Sequence, residues 1–392
     1  LAPGGDAWRA VAVLIDGGRI AQVAPLDEIV IPADVSRVEC TGQYLIPGLI
    51  DLHTHLLLHP YDETSWDDQV LRETLELRTI RAVVAARATL EAGFTTIRDL
   101  GTEGAGFADV ALREAVEMAL IEGPRIFATT RAIVATGCYG PQGLDPRWDA
   151  PTGAQEATGA DEVRRIVREQ IAAGADWVKV YADYARSAEA EATPTFSQAE
   201  LDALVDEASS AGIPVAAHAT TDEGMRRATL AGVATIEHGT NASAQTLGLM
   251  REKGVVLVPT LAVYEAMARY GGWTAAAPEP ERLLRARAMF RRALDAGVTI
   301  ACGGDAGVFA HGQNAREIEL MVEYGMTKAE ALRSATLVAA NVLGREDLGR
   351  IASGASADLL LLGSDPLEDS HALRGPIHVF RAGIEVVSAR RK

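Results

Sequence analysis

The chain has 392 residues, 48% of them hydrophobic, enough to bury a large core without any low-complexity tract or charge block. Its 37 Lys and Arg face 54 Asp and Glu, a formal net charge of −17 that repels phosphate backbones and anionic membranes and so disfavours nucleic-acid and membrane partners. Three cysteines, Cys40, Cys138 and Cys302, without CxxC spacing suit a reducing, cytoplasmic setting better than a disulfide framework, and no apolar run reaches the roughly 20 residues of a membrane span.

The first fifty residues read as short strands at 9–16, 19–23 and 35–40, punctuated by Gly and Pro. A different rhythm follows. Eight short apolar runs, at 44–52, 95–100, 125–129, 177–181, 214–219, 234–238, 255–259 and 298–303, alternate with helical patterns. Residues 68–92 carry a long apolar helical stripe, and two further helices open on capping boxes, Ser197-x-x-Glu200 and Thr327-x-x-Glu330. The last forty residues return to strands, at 357–362 and 378–388. Alternating strands and helices in this number predict an α/β chain folded as a (β/α)₈, or TIM, barrel over residues 50–349. The strand-rich ends, 1–49 and 350–392, are expected to meet as one small β-sandwich. A doubly wound sheet is the alternative, but no Gly-rich dinucleotide turn follows the early strands.

The run Pro47-Gly48-Leu49-Ile50-Asp51-Leu52-His53-Thr54-His55 ends in His-x-His. Residues two apart share a face of a strand, so both imidazoles turn to the barrel mouth, where one metal ion can be gripped. Lys179, inside the apolar run at 177–181, is either a lysine snorkelling to the rim or one carboxylated by CO₂ to bridge two metals. His218 and His238 end consecutive strands; each alone reads as a core histidine, the pair as ligands of a second metal. Asp305, beside glycines, is a turn former or a metal ligand and general base. Cys138 reads as inert packing, because no base accompanies it.

The ordered set resembles the ligand pattern of the amidohydrolase superfamily: His-x-His after strand one, Lys on four, His after five and six, Asp after eight. Thr95-Thr96-Ile97-Arg98-Asp99, Ile236-Glu237-His238-Gly239-Thr240, Val258-Pro259-Thr260-Leu261, Gly304-Asp305-Ala306-Gly307 and His311-Gly312-x-Asn314 narrow the likeness. They are similar to the imidazolonepropionase-related branch with its prolidase-like and Xaa-Arg/Lys dipeptidases and its hydrolases of N-acyl amino acids such as ochratoxin. The resemblance implies that His53, His55, Lys179 and Asp305 hold a buried metal and that Lys179, His218 and His238 hold an exposed one. It further implies that Tyr264 binds a substrate carboxylate and that the chain forms a homo-oligomer. One position departs: relatives carry Thr-Gly-Gly-His-Gly where this chain reads Thr136-Gly137-Cys138-Tyr139-Gly140, so a bulkier, uncharged tyrosine replaces a histidine near the substrate.

The expected chemistry is attack by a metal-bridging hydroxide on the amide or peptide bond of a small molecule. A dipeptide with a free carboxylate or an N-acyl amino acid is the expected substrate. Asp305 serves as base and then acid, and Tyr139, Tyr264 or His311 orients the substrate or steadies the oxyanion. Histidine-rich ligation favours zinc over magnesium or calcium. A lactone, a carbamate or a xenobiotic amide or urea is the alternative substrate, since the same hydroxide attacks all of them. A non-catalytic scaffold is the remote one.

Overall fold

The computed structural model describes residues 11–145, 147–185 and 190–387. The predicted runs at 9–16 and 378–388 therefore begin and end outside the described residues. Seven parallel barrel strands are regular: Leu49–Thr54, Phe94–Asp99, Arg125–Ala128, Val178–Tyr181, Val215–Ala219, Thr235–His238 and Val256–Val258. They are Val-, Ile- and Ala-rich and buried, as strands covered on both faces must be. The eighth is reduced to one parallel bridge, Leu257 with Ile300. Its backbone still closes the barrel, because Leu52 N–H donates to Cys302 O at 2.9 Å and Ala301 N–H to Leu257 O at 3.0 Å. Between strands three and four, Asp176 N–H reaches Ala128 O at 2.8 Å.

The chain ends build the small sandwich. One antiparallel sheet runs in the order Ile384–Val387, His378–Arg381, Leu359–Leu362, Tyr44–Pro47. The hairpin of Val11–Asp16 and Arg19–Pro25 packs on it through Ile20, Val13, Ala357, Leu359 and Phe380. No helix among the described residues is long and apolar enough to cross a membrane.

Several expectations need correction. The run at 44–52 is two strands hinged at Gly48, the first in the sandwich and the second in the barrel. A side chain at Gly48 would put its Cβ 2.1 Å from Thr95 Oγ1, so only glycine lets the chain cross so close to strand two. The helix over 68–92 divides into Trp66–Arg72 and Leu75–Glu91, because the Thr74 side chain accepts from Leu77 N–H and starts a new helix. Residues 35–40 form no strand; they lie largely exposed with no neighbouring strand to pair with. Two short strands, Ile133–Ala135 and Gln155–Ala157, pair beside strand four where none was predicted. Both capping boxes form, at Ser197 with Glu200 and at Thr327 with Glu330.

Several non-glycine residues have left-handed backbone at one end of the barrel. Glu103, Thr130, His238, Thr260 and Asp305 have φ of 49°, 62°, 71°, 50° and 68°. Each follows or ends a barrel strand, so local strain is concentrated at the C-terminal mouth, where this fold places its chemistry.

Candidate metal centre

His53 and His55 project from the end of strand one, and Asp305 from the turn after strand eight. His53 Nε2 lies 3.5 Å and His55 Nε2 3.3 Å from Asp305 Oδ1. One donor atom from each of the three falls within 4.8 Å of the others, and all three side chains are buried. Asp305 Oδ1 has no hydrogen-bond partner, an arrangement costly for a carboxylate unless a cation completes it. Local backbone holds the group together: Asp305 N–H donates to His53 O at 2.8 Å. Gly303 permits this approach, since a Cβ there would stand 2.8 Å from His53 N.

The far ring nitrogens orient the imidazoles. His53 Nδ1 is 2.8 Å from Glu237 Oε2, and His55 Nδ1 is 2.9 Å from Gly101 O. Both partners only accept, so both Nδ1 atoms carry a hydrogen and Nε2 is the nitrogen turned to Asp305. His238 Nδ1 meets Thr260 Oγ1 at 2.7 Å. His218 is turned the other way, with Nε2 3.8 Å from Asp183 Oδ1. The His218 and His238 rings are 4.6 Å apart and the His238 and His53 rings 5.1 Å apart, so the later pair adjoins the first cluster. Lys179, on strand four, is 1% exposed, with its Nζ 5.4 Å from the Tyr181 ring.

Burial sets the charges. It pushes His53 and His218 well below the usual imidazole range and His238 to about 4, which keeps these rings neutral, the form that binds metal. Burial opposes a charge on His55 too, but the facing Asp305 carboxylate lifts it to about 9. Burial works against Asp305 as well, and the facing His53 and His55 overcome it and hold its carboxyl low. Burial brings Lys179 down to about 8. A set of imidazoles, a carboxylate with an open oxygen and a buried lysine fits divalent cations of borderline softness.

The three residues expected at the substrate fare differently. Tyr264, on the helix Leu261–Tyr270 after strand seven, shares a hydrogen bond with Thr240 Oγ1. Tyr139 donates to Glu103 Oε2 at 2.5 Å and stands against Trp66, Tyr181 and Tyr184 at ring distances of 5.0, 4.9 and 4.9 Å. His311 does not offer a free nitrogen: Nδ1 meets Thr89 Oγ1 and Nε2 meets His55 O, each at 3.1 Å. It braces the end of strand one against the helix Leu75–Glu91 and is not free to orient a substrate. Glu237 and Thr260 stood in the sequence only within quoted motifs, without a role, and Asp183 and Glu103 were not singled out. A glutamate inside a strand buried on both faces was signal enough for Glu237; Glu103, in a Gly-Thr-Glu-Gly loop, carried none.

A family model described as the amidohydrolase family matches residues 44–386. Ochratoxinase of Aspergillus niger is 31% identical over an alignment covering 98% of this chain and 84% of that enzyme. Imidazolonepropionase of Streptomyces griseus is 26% identical, over 96% of this chain and 90% of that one. The crystal structure of a Xaa-Pro dipeptidase with methionine bound in its active site superposes with a TM-score of 0.85 at 34% identity, covering 96% of this chain and 94% of that one.

Proposed function

The chain belongs to the amidohydrolase family, and on that premise we propose that it hydrolyses the amide bond of a small molecule whose leaving amine belongs to an amino acid with a free carboxylate. The observation that carries this reading is the convergence of His53, His55 and Asp305 at the barrel mouth, with one carboxylate oxygen left open. His53, His55, Lys179 and Asp305 would hold one divalent cation, and Lys179 as its carbamate, with His218 and His238, a second. Zinc fits the donors best. Cations held there would supply a water of pKa roughly 7 and a polarised scissile carbonyl.

The protein's own residues do the rest. Asp305 takes a proton from the attacking water and passes it to the departing nitrogen, so water's OH ends on the acyl carbon as the C–N bond breaks. Glu237 and the Gly101 carbonyl keep His53 and His55 in one tautomer and one orientation. The Tyr264 hydroxyl, beside Thr240, donates to the carboxylate of the leaving amino acid. Relatives support the substrate class: proteins similar to this chain include an ochratoxinase and a Xaa-Pro dipeptidase.

The test is a pooled library of dipeptides and N-acyl amino acids given to zinc- and bicarbonate-loaded protein, with released amino acids followed by mass spectrometry. Release that disappears in Lys179→Ala supports the reading. Silence with two zinc ions bound refutes the amide substrate and points to lactones, carbamates or aryl ureas.

A further inference from the structure

Glu103 is the least explained group near the centre. It is 2% exposed and sits in left-handed backbone after strand two, at φ 49°. Its Oε2 accepts from Tyr139 at 2.5 Å and from Trp66 Nε1 at 2.9 Å. Its Oε1 has no hydrogen-bond partner. The closest cationic candidate, His55 Nδ1, is 3.9 Å away and already bonded to Gly101 O. Arg78 acts on this carboxylate through its charge but directs its hydrogen bonds to the Leu57 and Thr102 carbonyls. A native fold rarely buries a carboxylate oxygen with nothing to bind.

The surroundings say what would satisfy it. Aromatic rings form a continuous wall from the centre outward: Tyr181 stacks on His218 at 4.5 Å and 16°, Tyr139 follows at 4.9 Å, and Trp66 at 5.0 Å beyond that. Tyr184 packs against Tyr139 and Tyr181 at 4.9 and 5.7 Å. Ring faces carry negative potential, so aromatic faces together with a carboxylate attract a cation and repel an anion. Direction follows from the proposed reaction, on which this inference rests. The departing amine must lie on the Asp305 and Tyr264 side, beyond strands seven and eight, so the acyl half of the substrate lies toward strands two to four, where this wall stands.

We infer that the Glu103 and tyrosine wall binds a free α-ammonium group on the acyl residue, so that the substrates are dipeptides with an unblocked N-terminus in preference to N-acylated amino acids. The substrate ammonium donates to Glu103 Oε1 and lies against the aromatic faces. Tyr139, in place of a histidine, serves this recognition by holding Oε2 and fixing the direction of Oε1 without adding a competing positive charge.

The test compares dipeptides with the same dipeptides N-acetylated, on zinc-loaded wild type, Glu103→Gln and Glu103→Asp, with zinc content measured for each. Wild type is expected to favour the free amine at least 10-fold in kcat/KM. Glu103→Gln keeps acceptors for Tyr139 and Trp66 but loses the charge, and should bring the ratio of the two series to about 1 at full zinc occupancy. Glu103→Asp keeps the charge, withdraws it by one methylene, and should fall between; it decides the matter if the Gln variant does not fold. Preference for the acetylated series in wild type, or a ratio unmoved by either variant, overturns the inference and leaves the amide-hydrolase reading standing. Absence of cleavage in both series by zinc-loaded wild type overturns both.

Discussion

His53 Nδ1 lies 2.8 Å from Glu237 Oε2, and both side chains are sealed from solvent. Glu237 is itself held by Arg98 NH2 at 2.9 Å and by Thr235 Oγ1 at 2.5 Å on its other oxygen. Arg98 donates to Leu52 O and lies 4.4 Å over the Trp177 ring. The orientation of a single imidazole at the mouth is thus set by a chain of contacts running through the barrel interior to strand four. Glu237→Gln should lower zinc affinity roughly 10–100-fold, as loss of an outer hydrogen-bond partner does. It should also cost about 3–5 kcal/mol of stability, because Arg98 is left buried without its counter-charge. Chelator competition and denaturant unfolding read the two effects separately, and wild-type zinc affinity in the variant would refute the orienting role.

Asp305→Asn removes the proton acceptor while keeping the shape of the side chain. Turnover should vanish on every substrate, with zinc still bound and circular dichroism unchanged. A variant with measurable kcat at full zinc occupancy sinks the base role assigned to Asp305.

Tyr264→Phe deletes the hydroxyl that shares a bond with Thr240. A hydrogen bond to a charged group is worth about 1.5–3 kcal/mol, so kcat/KM should fall roughly 10- to 150-fold, chiefly through KM, on substrates with a free C-terminal carboxylate. The same substrates amidated at that end should be cleaved equally by both proteins. Equal losses in the two series would move the carboxylate site elsewhere.

Glu317, on the helix Ala315–Glu323, is buried against the start of the helix Leu261–Tyr270, where Oε2 accepts from Ala262 N–H at 2.7 Å and Oε1 finds no partner. Burial pushes its carboxyl from an ordinary 4.5 up to about 8, against the two backbone donors that favour the charge. The folded value lies above the unfolded one, so the stability this group contributes is complete below pH 4.5 and is lost as pH rises toward 8. Thermal unfolding of Glu317→Gln from pH 5 to 9 should show a flatter decline than wild type; parallel curves would mean that Glu317 ionises without cost.

The barrel was legible because its strands are short apolar runs bounded by Gly and Pro, and His-x-His at the end of the first of them marks a site by period alone. What escaped was decided by contacts distant in sequence. Nothing around residues 133–135 and 155–157 distinguishes short paired strands from loop, since their pairing depends on strand four. Residues 35–40 looked like a strand by composition and had no partner. Asp305 and His311 both stand near strand eight and both were expected at the site, yet only the fold reveals that His311 is consumed by Thr89 and His55 O. Glu103 was invisible because its meaning lies in Tyr139 and Trp66, more than thirty residues away on either side.

Closure of the barrel joins Leu52 to Cys302, and the donor set joins His55 to Asp305, 250 residues further along the chain. During synthesis the first two histidines therefore wait on the order of tens of seconds before their carboxylate partner leaves the ribosome. Throughout that interval they are a free His-x-His pair with no cavity around them. Assembly of this donor set is consequently an event that follows synthesis of the last barrel strand.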